Sequence, residues 1–127
     1  MNPLTKALVE IKNAQIAGKD EVVIKPTSGL LVSVLDVVKA CGYVKDFELL
    51  DDHRGGIMIV RLNGRINNCG VISPRFSVKL EDMEKFEARY LPAKNFGRLI
   101  LTTVEGIMTN DDAKQRHIGG KLLAYIY

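Results

Sequence analysis

Apolar residues recur at helical spacing at the start of the chain. Leu4, Ala7, Leu8 and Ile11 stand at i, i+3, i+4 and i+7, which predicts an amphipathic helix. Pro3 suits its first helical position and Asn2 the capping position before it, and the helix is expected to end near Ala17-Gly18. Val22 to Lys25 reads as a short strand stopped by Pro26. Thr27-Ser28 then offers a capping hydroxyl to a second helix with the apolar face Leu31, Val34, Leu35 and Val38, which Gly42 closes in a left-handed conformation. Val44 to Leu50 and Ile57 to Leu62 are strand-like, and the polar, glycine-rich Asp51 to Gly56 between them predicts a hairpin with a long loop.

Beyond Asn63-Gly64 the pattern changes. Asn67, Asn68 and Gly70 mark turns, and an extended run from Gly70 to Leu80 is interrupted by Pro74. Glu81 to Tyr90 is charged, with Met83, Phe86, Glu87 and Tyr90 at helical spacing and Pro92 just beyond, as expected of a short surface helix. The tail reads as strand Arg98 to Thr103, turn Glu105-Gly106, a short helix from an Asn110 cap through Arg116, and strand Lys121 to Tyr127 after Gly119-Gly120. The expectation is an α/β fold of the α+β kind in two small domains. Residues 1–64 form a helix-strand-helix-strand-strand unit, and residues 65–127 a mostly β unit with short helices.

At 127 residues, 46% hydrophobic and 26% charged, the chain excludes intrinsic disorder and collagen-like sequence. Its longest apolar stretch, around Leu30 to Leu35, falls far short of the roughly 18 to 20 residues that cross a bilayer. Lys6, Glu10 and Lys12 interrupt the first segment, unlike a secretory signal, so a soluble, cytosolic protein is expected. Cys41 and Cys69 lie outside any CxxC or paired-histidine pattern, which favours buried thiols over a disulfide or zinc site. The net charge of +3 lies wholly in residues 65–127, which carry ten Lys/Arg and seven Asp/Glu, whereas residues 1–64 carry eight of each. That balance permits a polyanionic partner, and many soluble enzymes share it.

Two clusters invite chemistry. Asp51-Asp52-His53-Arg54 places carboxylates beside a histidine, as a metal-dependent nuclease would. Consecutive residues on an extended loop point in opposite directions, however, so a solvated hairpin tip is the stronger reading. His117 has no nucleophile in a recognisable motif beside it, so no triad is proposed. The second cluster joins Thr102, Thr103 and Gly106 to Gly119, Gly120 and Lys121. Hydroxyls at a strand end bond phosphate or base edges, glycines admit close backbone approach, and lysine neutralises phosphate. Phe86, Tyr90, Phe96, Tyr125 and Tyr127 offer stacking surfaces for unpaired bases, although core filling suits most of them better.

These segments together resemble a known family. Asn2-Pro3-Leu4, Ile11-Lys12-Asn13-Ala14, Cys41-Gly42-Tyr43, Phe47-Glu48, Asp51 to Arg54, Gly64-Arg65-Ile66-Asn67 and Cys69 to Phe76 are similar, in order, to the universal small-subunit ribosomal protein eight family. So are Leu91-Pro92-Ala93, Phe96-Gly97, Ile100 to Thr103, Gly106-Ile107-Met108, Asp112-Ala113-Lys114 and Gly119 to Tyr125. Ser73-Pro74-Arg75-Phe76 and the long Glu81 to Phe96 connection resemble its archaeal and eukaryotic branch.

The resemblance implies two small domains and a structural, non-enzymatic role without cofactor, metal, membrane or small-molecule substrate. The implied partners are neighbouring small-subunit ribosomal proteins and small-subunit rRNA, bound in its central domain at a helix with an irregular internal loop. The implied location is the cytoplasmic ribosome. Carried over by position, RNA-binding residues are expected at Thr102, Thr103, Gly106, Gly119, Gly120 and Lys121, with Lys25, Ser28 and Arg75 near phosphate. Val104 lacks the hydroxyl often found at that place in the family, Glu105 stands where some members carry lysine, and Lys121 stands where many bacterial members carry glutamate. The rival reading is a non-ribosomal α/β adaptor that offers Leu122 to Tyr127 as an exposed strand edge.

Overall fold

A computed structural model of the chain describes residues 3–25 and 27–127. The expected Asn2 cap and the Pro26 strand stop lie outside the described residues. Two compact units follow one another, the first ending at Cys69 and the second beginning at Gly70.

The first unit runs α1 (Pro3–Ile16), β1 (Glu21–Ile24), α2 (Gly29–Ala40), β2 (Val44–Leu50) and β3 (Ile57–Leu62), the expected order. Its antiparallel sheet has the order β1-β3-β2. α1 buries Leu4, Ala7, Leu8 and Ile11, and α2 buries Leu31, Val34, Leu35 and Val38. Both spacings are those of one helix face packed on a sheet, and β3 answers with buried Met58, Val60 and Leu62 at the two-residue period of a strand. The Ser28 side chain caps α2 by accepting from the amide of Leu31 at 3.1 Å. At the other end Gly42 takes φ 84°, while the amides of Gly42 and Tyr43 return to the carbonyls of Lys39 and Val38. One expectation fails here: Cys69 is buried, but Cys41, the residue that caps α2, is exposed. It lies one residue past the last helical position, where the chain turns to the surface.

The second unit takes up β4 (Cys69–Val71) from its second residue and continues with β5 (Ser77–Val78), a 3₁₀ turn (Leu80–Asp82), α3 (Met83–Tyr90), β6 (Arg98–Thr103), β7 (Gly106–Thr109), α4 (Asn110–Gln115) and β8 (Gly120–Ile126). The strands form one sheet of order β4-β8-β6-β7, with β5 pairing the start of β8. Leu99, Leu101, Met108 and Leu122 from the sheet pack with Met83, Leu91, Ala113, Val78 and Ile72, so α3 and α4 cover one sheet face.

Four local expectations are corrected. The extended run Gly70 to Leu80 divides into two short strands, both paired with β8, with a turn between them in which the Phe76 amide donates to the Pro74 carbonyl at 2.9 Å. β7 stands where the sequence predicts only the turn Glu105-Gly106; its four residues are too short to display an alternation and are held by pairing with β6. Asn110 is not the cap of α4. Thr109 is, its side chain accepting from the Asp112 amide at 3.2 Å, while Asn110 is buried inside the first turn. Finally, β8 is no exposed edge: β6 lies along one side and β4 and β5 along the other. The adaptor reading loses the strand edge it relied on.

Candidate nucleic-acid interface

Cross-strand register assembles the site. Lys121 on β8 lies opposite Ser77 on β5 and Thr102 on β6, and Thr102 lies opposite Ile107 on β7. Residues directly opposite one another in a sheet share a face, so Ser77, Lys121 and Thr102 form one row across three strands. Ser77 and Lys121 are exposed and Thr102 half-buried. The row places a hydroxyl on each side of an ammonium with no carboxylate opposite it, a pattern suited to phosphate and sugar oxygens.

Thr103 points the other way, as strand alternation requires. Its hydroxyl donates to the Gly106 carbonyl at 2.8 Å and accepts from the Glu105 amide at 3.1 Å, closing the turn between β6 and β7. A hydroxyl has one proton to donate, and that of Thr103 is committed inside the protein. Gly106 completes the same turn at φ 114°. Thr102 and Thr103, adjacent in sequence, thus do different work.

Gly119 and Gly120 also serve the fold. A Cβ on Gly120 would lie 2.4 Å from the Thr102 carbonyl oxygen, and one on Gly119 would lie 2.3 Å from that of Val78. The backbone that approaches these glycines is the protein's own. They let β8 enter between β5 and β6 and so hold Lys121 in the row.

The turn carries a feature that sequence reasoning missed. Arg116, just past α4, reaches Glu105 with Nη1 to Oε1 at 3.0 Å, both side chains about half exposed. The carboxylate that would repel phosphate is therefore countered by a cation from another element. Eleven residues separate the pair, and only the fold of β7 and α4 brings them together. Val104, at the tip of the same turn, is 96% exposed.

Arg75 is exposed on the loop before β5. Lys25 and Ser28 belong to the first unit: the Lys25 carbonyl accepts from Lys6 Nζ at 2.9 Å, and Ser28 is the α2 cap. Thr27 beside it is tied to the β2–β3 loop through its amide and hydroxyl, both donating to the Gly55 carbonyl at 3.1 Å.

The acidic loop uses its carboxylates locally. Asp51 accepts from the His53 amide, and Asp52 accepts from the amides of Arg54 and Gly56 at 2.8 and 2.9 Å. The hydrogen bond from Arg54 is the largest cause holding the Asp52 carboxyl below the usual range. Among the described residues no group of three or more His, Cys, Asp or Glu is placed to hold a metal ion. A cavity of about 360 Å³ beside α3 and α4 is instead bordered by a closed polar network. Asn110 accepts from the Leu99 amide and donates to Glu87, which also receives Lys114.

Comparison with known proteins adds an independent line. The family model described as Ribosomal protein S8 matches residues 2–127. The chain is 49% identical over 124 residues to small ribosomal subunit protein uS8A of Saccharomyces cerevisiae, covering 98% of this chain and 95% of that one. It is 48% identical over 127 residues to uS8 of Archaeoglobus fulgidus, covering 100% and 98%, and 52% identical over 124 residues to uS8 of Thermoplasma acidophilum, covering 98% and 96%.

Proposed function

Because the chain belongs to the ribosomal protein S8 family, we propose that it is a structural, non-enzymatic component of the small ribosomal subunit that binds small-subunit rRNA in the cytoplasm. The finer reading is that it recognises a helix with an irregular internal loop in the central domain, beside neighbouring small-subunit proteins, and supports assembly there. The observation that carries the RNA contact is the row Ser77, Lys121 and Thr102 on one sheet face.

The physics favours recognition by shape. A-form RNA buries its major groove, and a distorted helix exposes bases and 2′-hydroxyls to short polar side chains. Thr102 supplies such a side chain, Lys121 supplies salt-sensitive phosphate attraction, and the turn closed by Thr103 and Gly106 sets the distance of approach. Arg75, Lys25 and Ser28 are assigned phosphate contacts.

The test is titration of the purified protein with a central-domain rRNA fragment and with a scrambled hairpin at several salt concentrations, repeated with Thr102→Ala. Preference for the native loop that survives moderate salt and falls in the variant supports the reading. Equal binding to both RNAs that salt abolishes overturns it.

A further inference from the structure

Six aromatic rings of the second unit fall into a pair and a run of four. Phe86 and Phe76 lie 5.7 Å apart between centroids, Tyr90 and Tyr125 5.8 Å, Tyr125 and Tyr127 6.3 Å, and Tyr127 and Phe96 6.2 Å. Arg89 joins the two parts, its guanidinium carbon 5.5 Å from the Phe76 centroid and 5.7 Å from that of Tyr90. Tyr90, Tyr125 and Tyr127 are stacked with interplanar angles of 22° and 21°. Had these rings served only to fill the core, they would be buried. They are half-buried along its margin, and Phe96 is 47% exposed.

The open end is displayed by a tight turn. The Phe96 amide donates to the Ala93 carbonyl at 3.1 Å, and Asn95 between them adopts φ 63°. Charge is unevenly spread around α3, with Asp82 in the turn before the helix and the remaining charges divided between its two sides. Glu84, Glu87 and Ala88 of α3 border the cavity beside α4, where Lys114 pairs with Glu87. Helical spacing directs Lys85, Phe86 and Arg89 to a different side, so the flank of α3 that carries the rings carries cations.

Rings that stack, an exposed terminal ring and cations beside the series are the elements of a single-stranded nucleic-acid platform. We propose that this ladder stacks unpaired nucleotides of RNA, with Phe96 as the ring that receives a base and Arg89 and Lys85 as the cations that attract phosphate. It is a second contact, distinct from the row around Thr102, and it rests on the RNA-binding reading only for the class of its partner.

The protein contains no tryptophan, so Phe96→Trp places a single reporter at the open end. Titrating that variant with unstructured oligoadenylate and oligouridylate at about 50 mM salt, where phosphate attraction is strong, should quench tryptophan fluorescence saturably. Phe96→Ala should weaken oligonucleotide binding about tenfold, as loss of one stacked base predicts. Arg89→Ala should weaken it as well, whereas Lys39→Ala, which removes an exposed cation from the last turn of α2, should leave it unchanged. The central-domain hairpin, tested in parallel, separates the two sites: its failure would sink the proposed function without touching the ladder. Unquenched tryptophan, or equal oligonucleotide binding by wild type and Phe96→Ala with circular dichroism intact, overturns the proposal and assigns the rings to a protein partner.

Discussion

Gly120 lies so close to Thr102 that a Cβ there would stand 2.4 Å from the Thr102 carbonyl oxygen. The strand pairing that carries Lys121 into the row of polar residues depends on this contact. Gly120→Ala should destabilise the protein by about 1 to 3 kcal/mol, the usual range for overpacking at a site that cannot give way. Gly29→Ala, at the start of α2 with nothing within 4 Å of its Cβ, should leave stability unchanged or raise it slightly. Thermal or urea denaturation of the two variants checks both outcomes.

Thr102 and Thr103 should separate function from stability. Thr103→Val keeps the shape but removes the hydroxyl that closes the turn, and should cost about 1 kcal/mol of stability. Thr102→Val should leave stability within about 0.5 kcal/mol of wild type while weakening binding to the rRNA fragment. Equal losses of stability in the two variants would contradict the division of labour.

Arg116 and Glu105 should be coupled in RNA binding. Arg116→Ala leaves the Glu105 carboxylate uncompensated at the turn, so affinity for the rRNA fragment should fall at low salt. Glu105→Gln in the same chain should restore most of the loss. The pair is half exposed, so little change in folding stability is expected. A double-mutant cycle on RNA affinity measures the coupling directly.

Cys69 should make stability sensitive to alkaline pH. Burial pushes its thiol from 9.0 to about 11, and the Sγ–H points to the Leu8 carbonyl at 3.6 Å. The unfolded chain therefore ionises this group first. The contribution of the neutral thiol is complete below the unfolded value and is lost as pH rises from 9.0 to about 11. Chemical denaturation from about pH 8 to about pH 10.5 should show wild type losing more stability than Cys69→Ala over that interval.

Much of this protein was decided locally, and so could be read from its residues. The faces of α1 and α2 follow from apolar spacing, the Ser28 cap and left-handed Gly42 from residue chemistry, and the hairpin of β2 and β3 from two strand-like runs around a polar, glycine-rich loop. Thr102 and Lys121 are candidate positions on the same local grounds, a hydroxyl at a strand end and a cation after a glycine pair. What tertiary structure alone decided were relations between distant segments. It set Ser77, Lys121 and Thr102 opposite one another and turned Thr103 inward. It gave Gly119 and Gly120 to the protein's own backbone, enclosed β8 between neighbours, and brought Arg116 to Glu105. Helix periodicity and capping are encoded within a few residues, but register, burial and ion pairing depend on which strand comes to lie beside which, and no local pattern carries that information.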